Sequence, residues 1–504
     1  VPDDAVIDGP PATALAARIA HQLKPDPSRT LCRLFVPGNE ALIRGESRAM
    51  AVLDRVLGLS EAEAADTLTR TLARFSARHR DLAGTLERNF QLVAHRLGRI
   101  QVGPVRRQLI GAYFTQEYAI EAAALFNPSM VVHPDQTGCR PGETRFILSL
   151  RAVGEGHLSS IEFRTGTVGA TDVQVDPPGQ FLDTGRAQDV PFDRELFRTK
   201  VAELVPDDEN ARFLWGRLPP HFTATELNDA LADLAGQRVT RQDSVALADA
   251  LRWMAASSYA VEFDERSALS ERVLWPTGPA ESHGMEDARF VRFTDVDKVI
   301  YYATYTAFDG SQVAPHLLQT TDFRTFTSSQ LSGLAARNKG MALFPRRIGG
   351  RFAALSRWDR ETNAVGYSAD GRRWGEAVTI QAPARSWELI QLGNCGSPIE
   401  TPAGWLVLTH GVGPMREYAI GAVLLDLDQP ERLIGALPEP LLTVAESERE
   451  GYVPNVVYSC GAMAHGDSIV LPYGCSDSSV RFAVIDLGRL LARLQAARAA
   501  APRS

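Results

Sequence analysis

The stretch Glu281-Ser-His-Gly-Met-Glu-Asp-Ala-Arg289 sets Glu286, Asp287 and Arg289 within four residues, after a glycine and just before the apolar run Phe290-Val-Arg-Phe293. Carboxylates held between a turn and a buried strand lose water and keep a cation close, a setting in which one of them becomes a proton donor or acceptor. Alone, such a stretch is more often a solvated turn with an Arg–Asp pair. Its company alters that. Arg337-Asn338-Lys339, ahead of Met341-Ala-Leu-Phe344, adds a forked donor, an amide and an ammonium. With Arg357 and His410 these form a set suited to a phosphate or carboxylate oxyanion.

A glycosidase normally needs two carboxylates, one as acid and one as base or nucleophile. Phosphate as the attacking group arrives already ionised, so one acid and a cationic cradle suffice. Asp287 as acid, facing Arg337, Asn338, Lys339, Arg357 and His410, fits this second arrangement better. A metal set of His283, Glu286, Asp287 and His410 has neither HExxH nor His-x-His spacing, and no metal is expected. Gly154-Glu-Gly-His-Leu-Ser-Ser160 lacks the lysine of a phosphate-binding loop, and no GxSxG elbow occurs.

Hydrophobic residues make up 44% of the 504 and charged residues 23%, an ordinary globular composition. The net charge of −8 argues against a nucleic-acid or anionic-membrane partner. Five widely spaced cysteines without a CxxC indicate neither a zinc ribbon nor a disulfide scaffold. No apolar run is long enough to span a membrane, no signal pattern opens the chain, and the expected location is cytoplasmic.

The positioning elements change along the chain. Residues 1–120 are expected to be helical: Leu68, Leu72 and Phe75, then Leu86, Phe90, Val93 and Leu97, repeat at helical spacing, and Ser60 with Glu63 forms a capping box. These helices are assigned to packing or homo-oligomerisation, with His79 and His95 on their surface. Residues 121–504 are expected to form a β domain with a helical insertion at about 170–256. Thr223/Glu226 caps its first helix and Thr240/Asp243 begins its second, and a closing helix starts near Asp486.

Within the β region a turn leads five times into a strand with a polar residue at or near its end. The five are Gly142–Arg151, Asp297–Thr306, Gly349–Arg357, Ala403–His410 and Gly466–Asp477. Beyond the helical insertion they recur at roughly 50 to 65 residues, room for a four-stranded sheet each. The fold class expected is therefore mainly β, a five-bladed β-propeller. Its strand ends bring Arg151, Arg357, His410 and Asp477 to one pocket.

From about residue 124 onward the chain resembles glycoside hydrolase family 130, the β-mannoside phosphorylases and related β-mannosidases. The resemblance rests on Phe126-Asn-Pro128, Leu150-Arg-Ala152, Gly284-Met-Glu-Asp-Ala-Arg289, Arg337-Asn-Lys339 with Leu343-Phe-Pro345, Ser356-Arg357, Gly404-Trp405, His410-Gly-Val412, Tyr418 with Gly421–Asp426, and Tyr473-Gly-Cys-Ser-Asp477. It implies a five-bladed propeller and cleavage of a β-mannoside by inorganic phosphate with inversion, giving α-mannose 1-phosphate. Phosphate is then a co-substrate and no cofactor is needed. It also implies Asp287 as the acid, acting through the mannosyl 3-hydroxyl. Arg337, Asn338, Arg357, His410 and Tyr418, with Lys339 as a weaker assignment, fall at phosphate positions. Asn127, Arg151 and Asp477 fall around the mannosyl unit, and Glu286 and Arg289 join them as substrate-side residues. Gln391 departs from the pattern, standing where several short members have lysine. The helical additions resemble a longer subgroup associated with β-1,2-mannosides.

Two other functions remain open at this stage. A hydrolytic β-mannosidase would need a carboxylate to activate water, with Glu155, Glu388 or Glu400 as candidates. A non-catalytic carbohydrate-binding propeller would tolerate loss of the Asp287 carboxylate.

Overall fold

A computed structural model describes residues 15–37, 47–97, 101–170, 172–202, 205–236, 244–296 and 298–497. The chain is mainly β. All five repeated segments are strands: Thr144–Val153, Lys298–Phe308, Phe352–Ser356, Gly404–Val412 and Ser468–Cys475. Each is paired on both sides, so its backbone groups are satisfied inside an antiparallel meander.

One sheet runs Ala124–Val132, Thr144–Val153, Ser159–Val168, Gly284–Asp295, Lys298–Phe308, Val313–Thr320 and Thr325–Gln330, then Tyr259–Glu262 and Arg186–Gln188. Its two halves meet at one parallel pair, Ser159 with Gly284. Separate sheets hold Ala342–Leu343 through Ala377–Gln381, Gln391–Asn394 through Leu433–Ala436, and Val457–Tyr458 through Ser479–Asp486. Apolar clusters lie between successive groups of strands, and one of them joins Met463, Val470 and Phe482 to Leu125, Phe146 and Leu148. Trp374 and Trp405 are wholly buried in these seams, where a large side chain contributes about 2–3 kcal/mol.

Among the described residues of the N-terminal part, the α-helices run from Arg48–Leu57 through Pro104–Tyr113. Ahead of those helices, Ala16–Leu23 pairs antiparallel with Ser479–Asp486, and Thr30–Leu34 pairs with Thr115–Ala119. Ala16–Leu23 is rich in helix formers, yet an open sheet edge next to it outweighs local propensity. The Ser60–Glu63 capping box forms, and Leu68, Leu86, Phe90 and Val93 are buried. His79 is not free on the surface: its Nε2 lies 2.8 Å from Glu117. The side chain of His95 lies outside the described residues.

Among the described residues between 170 and 193 the chain forms short strands, not helices, and four described helices follow, from Arg194–Val201 to Ser244–Ala256. Thr223 and Glu226 cap each other reciprocally, and Leu227, Leu231 and Leu234 are buried. Thr240 and Asp243 lie outside the described residues. Helix Leu487–Ala496 closes the described chain, with Asp486 as its N-cap.

Candidate active site

Two irregular strands aim the central polar pair. Ala124–Val132 slips in register between Phe126 and Ser129, and Gly284–Asp295 slips between Glu286 and Arg289. A bulge turns the extra residue out of the alternating pattern. Asn127 and Asp287, one in each slip, have left-handed backbones with φ of 48° and 55°. Their side chains meet there, Asn127 Nδ2 donating to Asp287 Oδ1 at 2.6 Å. Asp477, just past Ser468–Cys475, is also left-handed, with φ of 49°.

Cations surround this acid. Arg151 Nη1 is 3.5 Å from Asp287 Oδ1, and its Nη2 donates to Glu286 Oε1 at 2.8 Å. Arg289 is buried below, donating to the Asp287 carbonyl at 2.9 Å and to the Tyr458 hydroxyl at 2.6 Å. Burial alone would raise the Asp287 carboxyl; Arg151, Arg289, Lys339 and the Asn127 hydrogen bond outweigh it and hold the group below the usual carboxylate range. Asp477 goes the other way. Burial, then the charge of Asp287, pushes it up to about 6.

Arg357 Nη1 donates to His410 Nε2 at 3.2 Å. His410 Nδ1 therefore carries the proton and donates to the Asn394 carbonyl at 3.2 Å. Burial, then Arg357 and Arg289, drive the imidazole well below its ordinary value, so it is neutral. The Tyr418 ring stacks on it at 6.0 Å, and Tyr458 tilts against it at 4.8 Å. A Cβ at Gly393 would overlap the His410 ring, so glycine there makes room for the imidazole. Arg357 Nε, Arg151 Nε and Asn127 Oδ1 are buried with no hydrogen-bond partner among the described residues. Unpaired buried groups gathered around one space mark a place where a polar ligand would be bound.

That space is a cavity of about 260 Å³ lined by Asn127, Arg151, Asp287, Lys339, Arg357, Gln391, His410, Arg416, Tyr418, Val456, Tyr458 and Asp477. All four strand-end residues expected to converge do so: Arg151, Arg357, His410 and Asp477. Glu286 and Arg289 stand behind the lining, Glu286 3.6 Å from Lys339 and paired with Arg151, Arg289 beneath Asp287. Arg337 and Asn338 do not line it. Arg337 is exposed at the end of the Leu334–Ala336 turn. The Asn338 amide donates to the Trp358 carbonyl at 2.8 Å and accepts from Arg360. Of the Arg-Asn-Lys turn only Lys339 lines the cavity.

Tyr458 on the two-residue strand Val457–Tyr458, Val456 just ahead of it and Arg416 in the Pro414–Arg416 turn went unnoticed in the sequence because such short segments carry no periodic pattern. His283 packs near Phe308, away from the metal set considered for it. Among the described residues no three His, Cys, Asp or Glu side chains are grouped to hold a metal ion. None of Glu155, Glu388 and Glu400 lines the cavity: Glu155 is exposed, Glu388 is buried against Arg385, and Glu400 pairs with Arg346. A larger cavity of about 410 Å³, reaching from Met130 to Met463, holds that Arg346–Glu400 pair but no grouping of acids, cations and histidine. The chemistry therefore belongs to the smaller one.

Fold and cavity define a class first: a mainly β protein whose strand ends bring a buried carboxylate and an arginine–histidine pair to one cavity. Comparison with known proteins narrows it. The glycoside hydrolase family 130 model, described as beta-1,4-mannooligosaccharide phosphorylase, matches residues 256–495. A 1,2-beta-oligomannan phosphorylase from Thermoanaerobacter sp. (strain X514) is 32% identical over 216 residues, 41% of this chain and 70% of the relative. A beta-1,2-mannobiose phosphorylase from Listeria innocua is 30% identical over 229 residues, 44% of this chain and 63% of that protein. The solved beta-1,2-mannobiose phosphorylase from Listeria innocua, in complex with beta-1,2-mannobiose, superposes with a TM-score of 0.45 at 21% identity, covering 74% of this chain and 92% of that one. The chain belongs to glycoside hydrolase family 130 and is an enzyme of the glycoside phosphorylase class. No described helix is long and apolar enough to cross a membrane.

Proposed function

We propose that this enzyme is an inverting β-mannoside phosphorylase that cleaves β-1,2-linked mannobiose or oligomannosides with inorganic phosphate, releasing α-mannose 1-phosphate. The observation carrying this reading is that Asp287 and the Arg357–His410 pair line one cavity. A phosphate oxygen attacks the anomeric carbon from the Arg357–His410 side while the glycosidic C–O bond breaks. The departing sugar takes its proton from Asp287, relayed by the mannosyl 3-hydroxyl. Asn127, Arg151 and Asp477 hold the mannosyl unit; Arg357, its guanidinium oriented by His410, holds the phosphate with Tyr418, while Lys339 stays paired with Glu286. Free Asp287 is held ionised by its cations, and a bound dianion offsets them and raises its proton affinity. Phosphate thus primes its own acid. The β-1,2 preference is supported by relatives named for that linkage.

The scaffold assigned is a five-bladed propeller, supported by the five strand groups and by the apolar cluster that joins the last group to the first. Free cysteines, three of them buried, suit the reducing cytoplasm. Hydrolysis is the second reading, favoured by Asp477, a second carboxylate in the cavity whose raised value of about 6 suits a base for water. Incubation of a panel of β-mannobiose linkage isomers with and without phosphate separates the two. Phosphate-dependent mannose 1-phosphate, greatest with the β-1,2 isomer, is expected. Equal mannose release in both arms, with no sugar phosphate, would establish the hydrolase instead.

A further inference from the structure

Phosphate carries roughly −1.5 to −2 charges near neutrality, so one guanidinium leaves it under-compensated in a partly buried site. Next to His410 the cavity offers Arg357, and His410 itself is neutral. Arg151 is committed to Glu286 and Asp287, and Lys339 to Glu286. Gln391, facing the same space, is uncharged, with its amide 3.4 Å from the Tyr418 hydroxyl. Arg416 is different. It lines the cavity, is exposed, and among the described residues has no hydrogen bond or ion pair.

The backbone explains how it gets there. Strands Gly404–Val412 and Tyr418–Leu425 carry His410 and Tyr418, and Gln391 pairs with Val412 beside them. The loop that joins these strands is closed by Gly413 N donating to the Glu417 carbonyl at 2.9 Å and by Glu417 N donating to the Pro414 carbonyl at 3.2 Å. Inside it Met415 and Arg416 are both left-handed, with φ of 57° and 58°. Two consecutive non-glycine residues in that region are costly and persist only where the surroundings impose them. The outcome is one side chain sent outward, Met415 at 91% exposure, and the next sent to the cavity.

We propose that Arg416 is the second cation for the phosphate, a specificity-determining residue that reaches in from the Gly413–Glu417 loop and makes up for the neutral Gln391. In the free enzyme its charge acts on Asp477 without an ion pair between them, which leaves the guanidinium available to the anion on binding. This rests on the phosphorylase reading above and adds to it the residue that selects phosphate over water.

Two measurements on the purified full chain test it: phosphate binding by titration calorimetry, and the initial rate of mannose 1-phosphate formation from β-1,2-mannobiose at varied phosphate. Arg416→Gln is expected to weaken phosphate binding and raise the phosphate KM by about 10-fold or more, the scale of a lost charge-assisted contact. The mannobiose KM should move less than about 2-fold. Arg416→Lys should keep much of the affinity, and adding Gln391→Lys to the Arg416→Gln background should restore part of it. Unchanged phosphate binding in Arg416→Gln, with the circular dichroism of the parent, would overturn the assignment. So would a rise confined to the mannobiose KM, which would put Arg416 on the sugar. A parent enzyme that binds phosphate yet makes no sugar phosphate from any linkage isomer would defeat the phosphorylase reading, while the calorimetry would still report on Arg416.

Discussion

Arg357 Nη1 donates to His410 Nε2 at 3.2 Å, and this contact determines which nitrogen of the imidazole carries the proton. With Nε2 an acceptor, the hydrogen must sit on Nδ1, where the Asn394 carbonyl receives it. Asn394 is itself fixed, its amide donating to the Gly340 carbonyl at 2.6 Å and its oxygen accepting from Gly396 N at 3.1 Å. The histidine is thus oriented by two sheets before any ligand arrives.

The first prediction follows from that pair. His410 should stay neutral from pH 5 to pH 8 in the free enzyme, because burial and then Arg357 and Arg289 oppose its positive charge. In Arg357→Gln one of the opposing charges is gone, so the imidazole should take up a proton at higher pH than in the parent. Ring nitrogen chemical shifts across pH report both states. Titration of His410 near its ordinary value in the parent would contradict the neutral state argued from burial and its two cations.

Removing the acid should cost far more than removing a binding contact. Asp287→Asn keeps the shape that Asn127 and Arg151 surround and should lower kcat at least about 10²-fold. In the parent, raising phosphate should move the basic limb of the rate profile to higher pH, since a nearby anion raises the proton affinity of Asp287. Profiles at low and saturating phosphate check the sign; a limb that moves to lower pH would refute phosphate priming.

Asp477 links function to stability. Its carboxyl is raised from 3.8 to about 6 by burial and by Asp287, so the folded state binds its proton more tightly than the unfolded state does. The stabilisation this contributes is complete below about pH 4 and is lost as pH rises through about 6, on the order of 1–3 kcal/mol. Asp477→Asn should therefore raise the melting temperature at pH 8 relative to the parent, have little effect at pH 4, and reduce turnover at every pH. Thermal melts at the two pH values, paired with assays, test this; a variant less stable at pH 8 would count against it.

The N-terminal segment is tied to the β domain by a buried ion cluster. Arg29 Nη2 is 2.7 Å from Glu162 and its Nε 2.7 Å from Glu121, while Arg164 contacts both acids. Arg29→Met removes one cation from two buried carboxylates and should destabilise the fold by about 3–5 kcal/mol at pH 8. Burial and Glu162 already push Glu121 up to about 7, so in this variant it should hold a proton at pH 6 and the loss should shrink there. Denaturant midpoints at both pH values give the comparison.

Local chemistry made much of this protein legible in advance. Capping pairs such as Ser60–Glu63 and Thr223–Glu226 act over three residues, and Asp486 caps the closing helix in the same way. Strands that alternate and end on Arg151, Arg357, His410 or Asp477 carry their repeat in the sequence, because a shared position in successive sheets leaves a shared pattern. Other features depend on contacts between distant segments. Ala16–Leu23 became a strand because Ser479–Asp486 offered an edge. The slips that turn Asn127 to Asp287 are set by partner strands. Arg337 and Asn338 do not line the cavity although Lys339 does, and the loop geometry that brings Arg416 to it has no signature of its own. Residue types and spacing determined which side chains were available to do chemistry. Which of them share one low-dielectric space, and with which charge, was decided only when backbones far apart in the chain were packed together.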